Sequence, residues 1–395
     1  MRGRAQEMLA AGLAGKLSAF TLDMQALPAC ADFVTDVIRA NYPSLQVPFH
    51  ARWRHFAFGG RDLWQDMRGR AGWKSLAEMA RAAFDLAITS VLLDAGAGMA
   101  WRYYDSATGM TASRSEGLAL ASLRMFAAGR FSAMDRWPLR ADAAALKRVD
   151  AERIANAFQA SKTNPLAGLD GRAALIRRLG ETVAADEDAF ALRDNPRPGG
   201  LYDYLAGQTE EGKLPAAAIL EALLTRLGPI WPSRLTVEGI SLGDTWKHEA
   251  IKRDDATDGL IPFHKLSQWL AYSLIEPLQW AGLTVTGVDG LTGLAEYRNG
   301  GLFIDLEVIL PRDTALLKAS HAVDSAAVIE WRALTIALLD EIAPLVRARL
   351  GVSADAFPLA CVLEGGTWQA GRKAAQARRA DGGPPLAVIS DGTVF

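Results

Sequence analysis

The chain has 395 residues, half of them apolar, with 43 basic against 45 acidic side chains and a formal net charge of −2. That length supports a sizeable core and two domains. The near-neutral balance argues against a protein built mainly to wrap nucleic acid, which needs a strong basic excess.

The opening stretch, MRGRAQEMLAAGLAGKLSAF, lacks the sustained apolar segment of a secretory signal and reads as a helix. Cys30 and Cys361 are the two cysteines, both in apolar surroundings. They form no disulfide framework and fit a reducing compartment, so the expected location is the cytoplasm. Residues 47 to 56, VPFHARWRHF, gather His50, Arg52, Arg54 and three aromatics within ten positions. Two such arginines suit bidentate phosphate binding and equally suit a solvated edge.

In KSLAEMARAAFDLAITSVLLD, Ser75 and Glu78 have capping-box spacing, and Leu76, Met79, Ala83, Ala87 and Val91 follow as an apolar stripe. Asp85 interrupts the most apolar part, and no run approaches the roughly 20 residues of a membrane span. Residues 101 to 132 repeat the capping-box spacing at Ser113 and Glu116, so a site role for Arg114 or Glu116 would be additional to starting a helix. Helical patterns recur around 141–160, 170–187, 214–227, 261–280 and 325–350. DNPRPGGL, residues 194 to 201, excludes regular structure and is read as a boundary between regions 1–195 and 196–395. Strand signals are few and short: LTVEGISL, LTVTGV, LFIDLEVIL, PLACVL and LAVIS. The fold class is therefore mainly α with a few short strands.

Three later stretches carry candidate chemistry. In LIPFHKLSQWLAYSLIEPLQW, Pro262 suits a first helical turn. Lys265, Gln268, Trp269, Tyr272 and Glu276 then fall on one face, and Phe263, Leu266, Leu270 and Leu274 on the other. His264 stands beside the lysine. The polar face suits a planar ligand, or a snorkelling lysine beside half-buried aromatics. In GLTGLAEYRNGG, Glu296 precedes Tyr297 and Arg298, with glycines at 290, 293, 300 and 301. Those glycines open backbone conformations closed to other residues, which disfavours helix and strand and suits a carboxylate presented to something small. In PLACVLEGGTWQAGRKAAQARR, Glu364 reads as a strand-end carboxylate ahead of a Gly-Gly loop, Trp368 and a basic helix. A turn glutamate paired with Arg372 or Lys373 is the alternative. The terminal ISDGTVF reads as a D-G turn.

The five histidines, at 50, 55, 248, 264 and 321, show neither H-E-x-x-H nor H-x-H spacing. The cysteines lie far apart, so no metal is expected. Absence of a P-loop, of G-x-G-x-x-G after a strand and of G-x-S-x-G sets aside nucleotide cofactors and the nucleophile-elbow hydrolases. No cofactor is expected.

Six ordered blocks, VPFHARWRHF, TASRSEGLALASLRMF, LIPFHKLSQWL, GLTGLAEYRNGG, LEGGTWQAGR and SDGTVF, resemble the uracil catabolism protein four family, also described as a domain of unknown function. The resemblance runs over essentially the whole chain. It implies a pathway that converts uracil to its ribonucleotide and opens the ring, leaving urea and a three-carbon acid. It also implies a functional link to a uracil phosphoribosyltransferase and a cyclohydrolase-like enzyme. The carboxyl-terminal half is similar, more weakly, to the queuosine nucleotide salvage hydrolases. Those are α-helical proteins similar to DNA glycosylases that cleave the bond between a modified base and ribose 5-phosphate. Their Lys-Arg-Ala-Gln segment meets Lys265-Leu266-Ser267-Gln268 at the lysine and glutamine, and their Ala-Asp-Tyr-Arg meets Ala295-Glu296-Tyr297-Arg298 with glutamate for aspartate. A later acidic residue before a tryptophan corresponds to Glu364 before Trp368.

These resemblances imply a DNA glycosylase-like helical architecture over 196–395, with an additional helical amino-terminal region over 1–195 sharing its cleft. They imply an N-ribosyl hydrolase releasing urea or a ureido product from phosphoribosylurea or a related ring-opened uridine nucleotide. Glu296 would stabilise the cationic anomeric carbon and activate water, Lys265 would pair with it, position the ribose hydroxyls or polarise the leaving group, and Glu364 would act as the acid. Binding would fall to Arg298, Tyr297, Gln268, Trp269, Tyr272, His264, His50, Arg52, Arg54, Arg114, Glu116 and Trp368. The expected partner is a small-molecule nucleotide, with no nucleic acid and no membrane. The alternatives are hydrolysis of an amide or ureido bond of the opened ring, and a non-catalytic carrier of the intermediate.

Overall fold

Ser75 Oγ accepts from Glu78 N at 3.1 Å and opens the helix Leu76–Leu92, while the Glu78 carboxylate turns back to Lys74 N rather than to Ser75 N. Helices dominate the chain. The structure, a computed structural model, describes residues 1–94, 96–192, 195–232 and 234–389. Among these, strands occur only in two-stranded pieces of two or three residues each, so the protein is mainly α with a few short strands. No helix of the described residues is long and apolar enough to cross a membrane.

Two compact units divide the chain. The first draws on residues 1–50, 233–268 and 288–390, the second on 51–232 and 269–287. Residues on both sides of position 195 thus fall in the second unit.

In the first unit the long helix Ala326–Leu350 is buried along most of its length and packs against the helices Arg2–Leu13 and Leu27–Asn41. Two charges in its apolar run have buried tasks. Glu330 accepts from Ser18 N, Ser18 Oγ, Ala19 N and Phe20 N at 2.8 to 3.2 Å, fixing the start of the strand Phe20–Leu22, which pairs with Ile309–Pro311. Arg332 serves the candidate site described below.

In the second unit Asp85, the charge that breaks the apolar run of its helix, is fully buried. Its carboxylate accepts from Arg197 Nε and Nη2, from Gly199 N at 2.6 Å and from Ala141 N at 3.0 Å. The Pro-Gly-rich segment is therefore a docked strap. A Cβ at Gly199 would collide with the Arg81 carbonyl, and the helix Gly200–Ala206 starts at the next residue.

Two strand expectations are corrected, and a third holds as a pair of strands. PLACVL is helical: Leu359–Val362 forms an α-turn that runs into a π-turn, Leu363–Thr367, and then the helix Trp368–Arg378. An apolar run this short, buried on every side, has no period to separate helix from strand. Only the end of LFIDLEVIL, from Ile309, is strand, its beginning closing the helix Tyr297–Asp305. LTVEGISL is a hairpin of Thr236–Val237 with Ile240–Ser241. The turn expected in ISDGTVF falls mainly on residues 390–395, outside the described residues. Cys30 and Cys361 are free and buried, and burial pushes both thiols up to about 12.

Candidate active site

Lys265 opens the helix Lys265–Trp280, and what holds that opening turn is Asp244. The Asp244 carbonyl accepts from Phe263 N at 2.9 Å and His264 N at 3.3 Å, and its Oδ2 accepts from Lys265 N at 3.1 Å. Arg332 donates to both Asp244 oxygens at 2.8 and 2.7 Å, with its guanidinium 4.3 Å over the Phe263 ring. Burial alone would raise the Asp244 carboxyl. The Arg332 charge and hydrogen bonds, with Trp246 Nε1 and Lys265 N, more than reverse this and hold it down to about 2. His264 turns through the left-handed region at φ 45°, a strained conformation for a residue with a side chain. Burial lowers its imidazole below the ordinary value, against the opposing charge of Asp244.

The glutamate segment is tied to the same framework. Arg332 Nε reaches the Ala295 carbonyl at 3.4 Å, and Gln268 Oε1 accepts from Thr292 N at 3.3 Å. One guanidinium thus holds the cap of the lysine turn and the residue preceding Glu296. Glu296 is 9 % exposed and caps the helix Tyr297–Asp305, Oε1 accepting from Asn299 N at 2.6 Å and Oε2 from Arg298 N at 3.0 Å. Residues 291–296 are irregular as expected, but the helix begins at Tyr297 and the glycines do not serve unusual backbone angles. None of the four glycines has positive φ, and Gly300 and Gly301 are helical. They are small for packing: a Cβ would stand 2.5 Å from Leu339 Cδ1 at Gly293 and 2.5 Å from Thr335 Oγ1 at Gly300.

Glu364 lies in the π-turn rather than at a strand end. π-Turns within helices are frequent at functional sites. Gly365 and Gly366 let this turn approach the helix Leu27–Asn41 and its exit, a Cβ at either coming within 2.9 Å of Val47 or 2.7 Å of Val34. The His50 ring, held by a bond from its backbone N to Ala360 O at 3.1 Å, brings Nδ1 to 2.7 Å from Glu364 Oε2. Both side chains are buried. The Trp368 ring lies 6.1 Å from His50 on one side, and the Arg298 guanidinium stacks 4.1 Å over it on another. Arg298 Nε also donates to the Tyr297 hydroxyl at 3.2 Å. Thr367 Oγ1 donates to Asn299 Oδ1 at 2.8 Å. At Gly371 a Cβ would strike the Arg298 carbonyl, which is how closely these two helices pack.

The first unit therefore gathers His50, His264, Lys265, Gln268, Glu296, Tyr297, Arg298, Glu364 and Trp368. Within it, His50 with Glu364 and Arg298 with Trp368 are in direct contact. Asp244 and Arg332 belong to the same set and lie in none of the quoted stretches, while Asn299 and Thr367 lie in two of them without being singled out. Their available signal was a charge in an otherwise apolar helix, for Arg332, and a polar residue between helical glycines and a cap, for Asn299.

The remaining candidates belong to the second unit. Arg52 is fully buried, with Nε donating to Ser90 Oγ at 2.7 Å, Nη1 lying 3.2 Å from Asp94, and the guanidinium 5.4 Å over Trp269. Arg54 pairs with Glu276 at 2.7 Å. Trp269 and Tyr272 are buried, as are the leucines opposite them, so this helix hides both faces. Arg114 adopts φ 52° and reaches Met99 Sδ at 3.4 Å, and half-buried Glu116 sits in the same first turn. Ser113 starts that helix without the side-chain cap its spacing suggests. Among the described residues no three His, Cys, Asp or Glu side chains form a metal-binding group.

Comparison with known proteins gives full-length matches. Protein urg3 of Schizosaccharomyces pombe is 37 % identical over 403 residues, spanning 100 % of this chain and 96 % of that protein. Uracil catabolism protein 4 of Lachancea kluyveri is 35 % identical over 415 residues, spanning 96 % of this chain and 93 % of that protein. The model of one family, described as protein of unknown function (DUF1688), matches residues 1–395, and this chain belongs to that family.

Proposed function

We propose that this protein acts in uracil catabolism as an N-ribosyl hydrolase, cleaving phosphoribosylurea or a related ring-opened uridine nucleotide to urea or a ureido product and ribose 5-phosphate. The pathway rests on a relative that carries uracil catabolism in its name. The observation that carries the chemistry is the Arg332 bridge, which ties the backbone turns bearing Lys265 and Glu296 to one buried guanidinium. Breaking a bond to the anomeric carbon builds positive charge there, and a fixed carboxylate stabilises it. Glu296 takes that role, its cap bonds using one lone pair of each oxygen and leaving others for water. The departing nitrogen needs a proton, and the Glu364–His50 pair is the source. Arg298, stacked on Trp368, is the cation for the 5′-phosphate.

Incubating the purified protein with phosphoribosylurea and measuring urea and ribose 5-phosphate tests the reading. Stoichiometric release of both is expected. A folded protein that yields no urea rules out this substrate, and a product in which the ribosyl–nitrogen bond is intact points to amide hydrolysis instead.

A further inference from the structure

Asn299 occupies the third position of the helix that Glu296 caps, and it has no solvent exposure. Its backbone N–H goes to Glu296 Oε1 at 2.6 Å and its side-chain oxygen takes the Thr367 hydroxyl at 2.8 Å. The side-chain nitrogen, with two N–H donors, has no partner among the described residues. Exchanging the two amide atoms does not relieve this, because the Thr367 hydroxyl serves either atom and the other is then left over. A buried donor without a partner carries the full cost of its desolvation, and an aliphatic side chain would fill the position without that cost. Position 299 is also where the two candidate carboxylates are joined: its backbone bonds the Glu296 carboxylate and its side chain bonds the π-turn that bears Glu364.

We infer that Asn299 is a catalytic residue whose Nδ2 donates to the oxygen of the attacking water, with Thr367 as the positioning residue that sets the orientation of the carboxamide. Hydrolysis then proceeds with atoms balanced. The water oxygen bonds to the anomeric carbon, and its proton passes to Glu296. The carbon–nitrogen bond breaks with its electron pair going to the ureido nitrogen, which takes a proton from the Glu364–His50 pair. Water held at Nδ2 keeps a second lone pair for the carbon, so the donor orients the nucleophile while Glu296 accepts its proton.

This inference rests on the hydrolase reading, and its test separates the two. Wild-type protein, Asn299→Ala and Thr367→Val are assayed with phosphoribosylurea in water and in water containing methanol, with thermal unfolding recorded for each. In Asn299→Ala, kcat is expected to fall by about 10- to 1,000-fold with KM within twofold, and the ratio of methyl riboside 5-phosphate to ribose 5-phosphate to rise. Thr367→Val is expected to lower kcat less, in the same direction. If the wild-type protein releases no urea, both readings fall. If it turns over and Asn299→Ala leaves kcat and the methanol ratio unchanged, or raises KM alone, only the role of Asn299 is overturned. Should Asn299→Ala not fold, the Thr367→Val partition ratio decides, an unchanged ratio counting against the inference.

Discussion

Asp244 and Arg332 meet through two parallel hydrogen bonds, of 2.8 and 2.7 Å, with both side chains buried. The pair links three segments that are far apart in sequence: the turn before Lys265, the residue before Glu296 and the long helix Ala326–Leu350. A buried guanidinium left alone is far costlier than the intact pair is stabilising.

Asp244→Asn is therefore expected to destabilise the protein by about 3–5 kcal/mol in urea unfolding at neutral pH. The effect has a defined pH dependence. Asp244 titrates at about 2 when folded, below the roughly 3.9 of an unfolded aspartate, so its stabilisation is complete above about pH 4 and is lost as the pH falls toward 2. The gap between wild type and Asp244→Asn should shrink by about 2–3 kcal/mol across that window. A gap that stays constant from pH 5 to pH 2 would show that the ion pair is not its origin.

Glu296 caps a helix and, in the proposed reaction, faces a cation. Glu296→Gln keeps one acceptor oxygen for the cap, so stability should fall by about 1 kcal/mol or less. Urea release should fall by at least ~100-fold. Glu296→Asp shortens the reach by a methylene and should cost about 10- to 100-fold in kcat with the fold intact. Wild-type turnover in either variant takes Glu296 out of the chemistry.

His50 and Glu364 share a hydrogen bond of 2.7 Å in buried surroundings. If the pair supplies the proton, Glu364→Gln lowers kcat/KM by about 10²- to 10⁴-fold and removes one limb of its pH profile. His50→Gln should displace that limb. Profiles identical in shape to wild type would assign the proton to another group.

Much of the helical framework was legible because it is local. Ser75 and Glu78 announce a helix start that depends on two nearby residues, and the apolar stripe after them records a buried face. The strand reading at PLACVL failed for the complementary reason, since a short run buried on all sides leaves the choice to its neighbours. The glycines around Glu296 illustrate the same limit. Sequence identifies a glycine, but only the contact with Leu339 or Thr335 separates close packing from an unusual backbone angle. Likewise Arg52 and Arg54 suited either phosphate binding or a solvated edge, and only their neighbours revealed the bonds to Asp94 and Glu276.

By itself the sequence determined the helical class, the two buried cysteines' neighbours and the short motifs in which Lys265, Glu296 and Glu364 stand. Those features follow from chain-local periodicity, capping and residue type. The tertiary structure alone decided that Asp244 and Arg332 hold the lysine and glutamate turns, that His50 meets Glu364, and that the buried Asn299 side-chain nitrogen has no partner among the described residues. Hydrogen bonds between residues 37 to 314 positions apart depend on how the helices pack, and no local pattern in the chain encodes that distance.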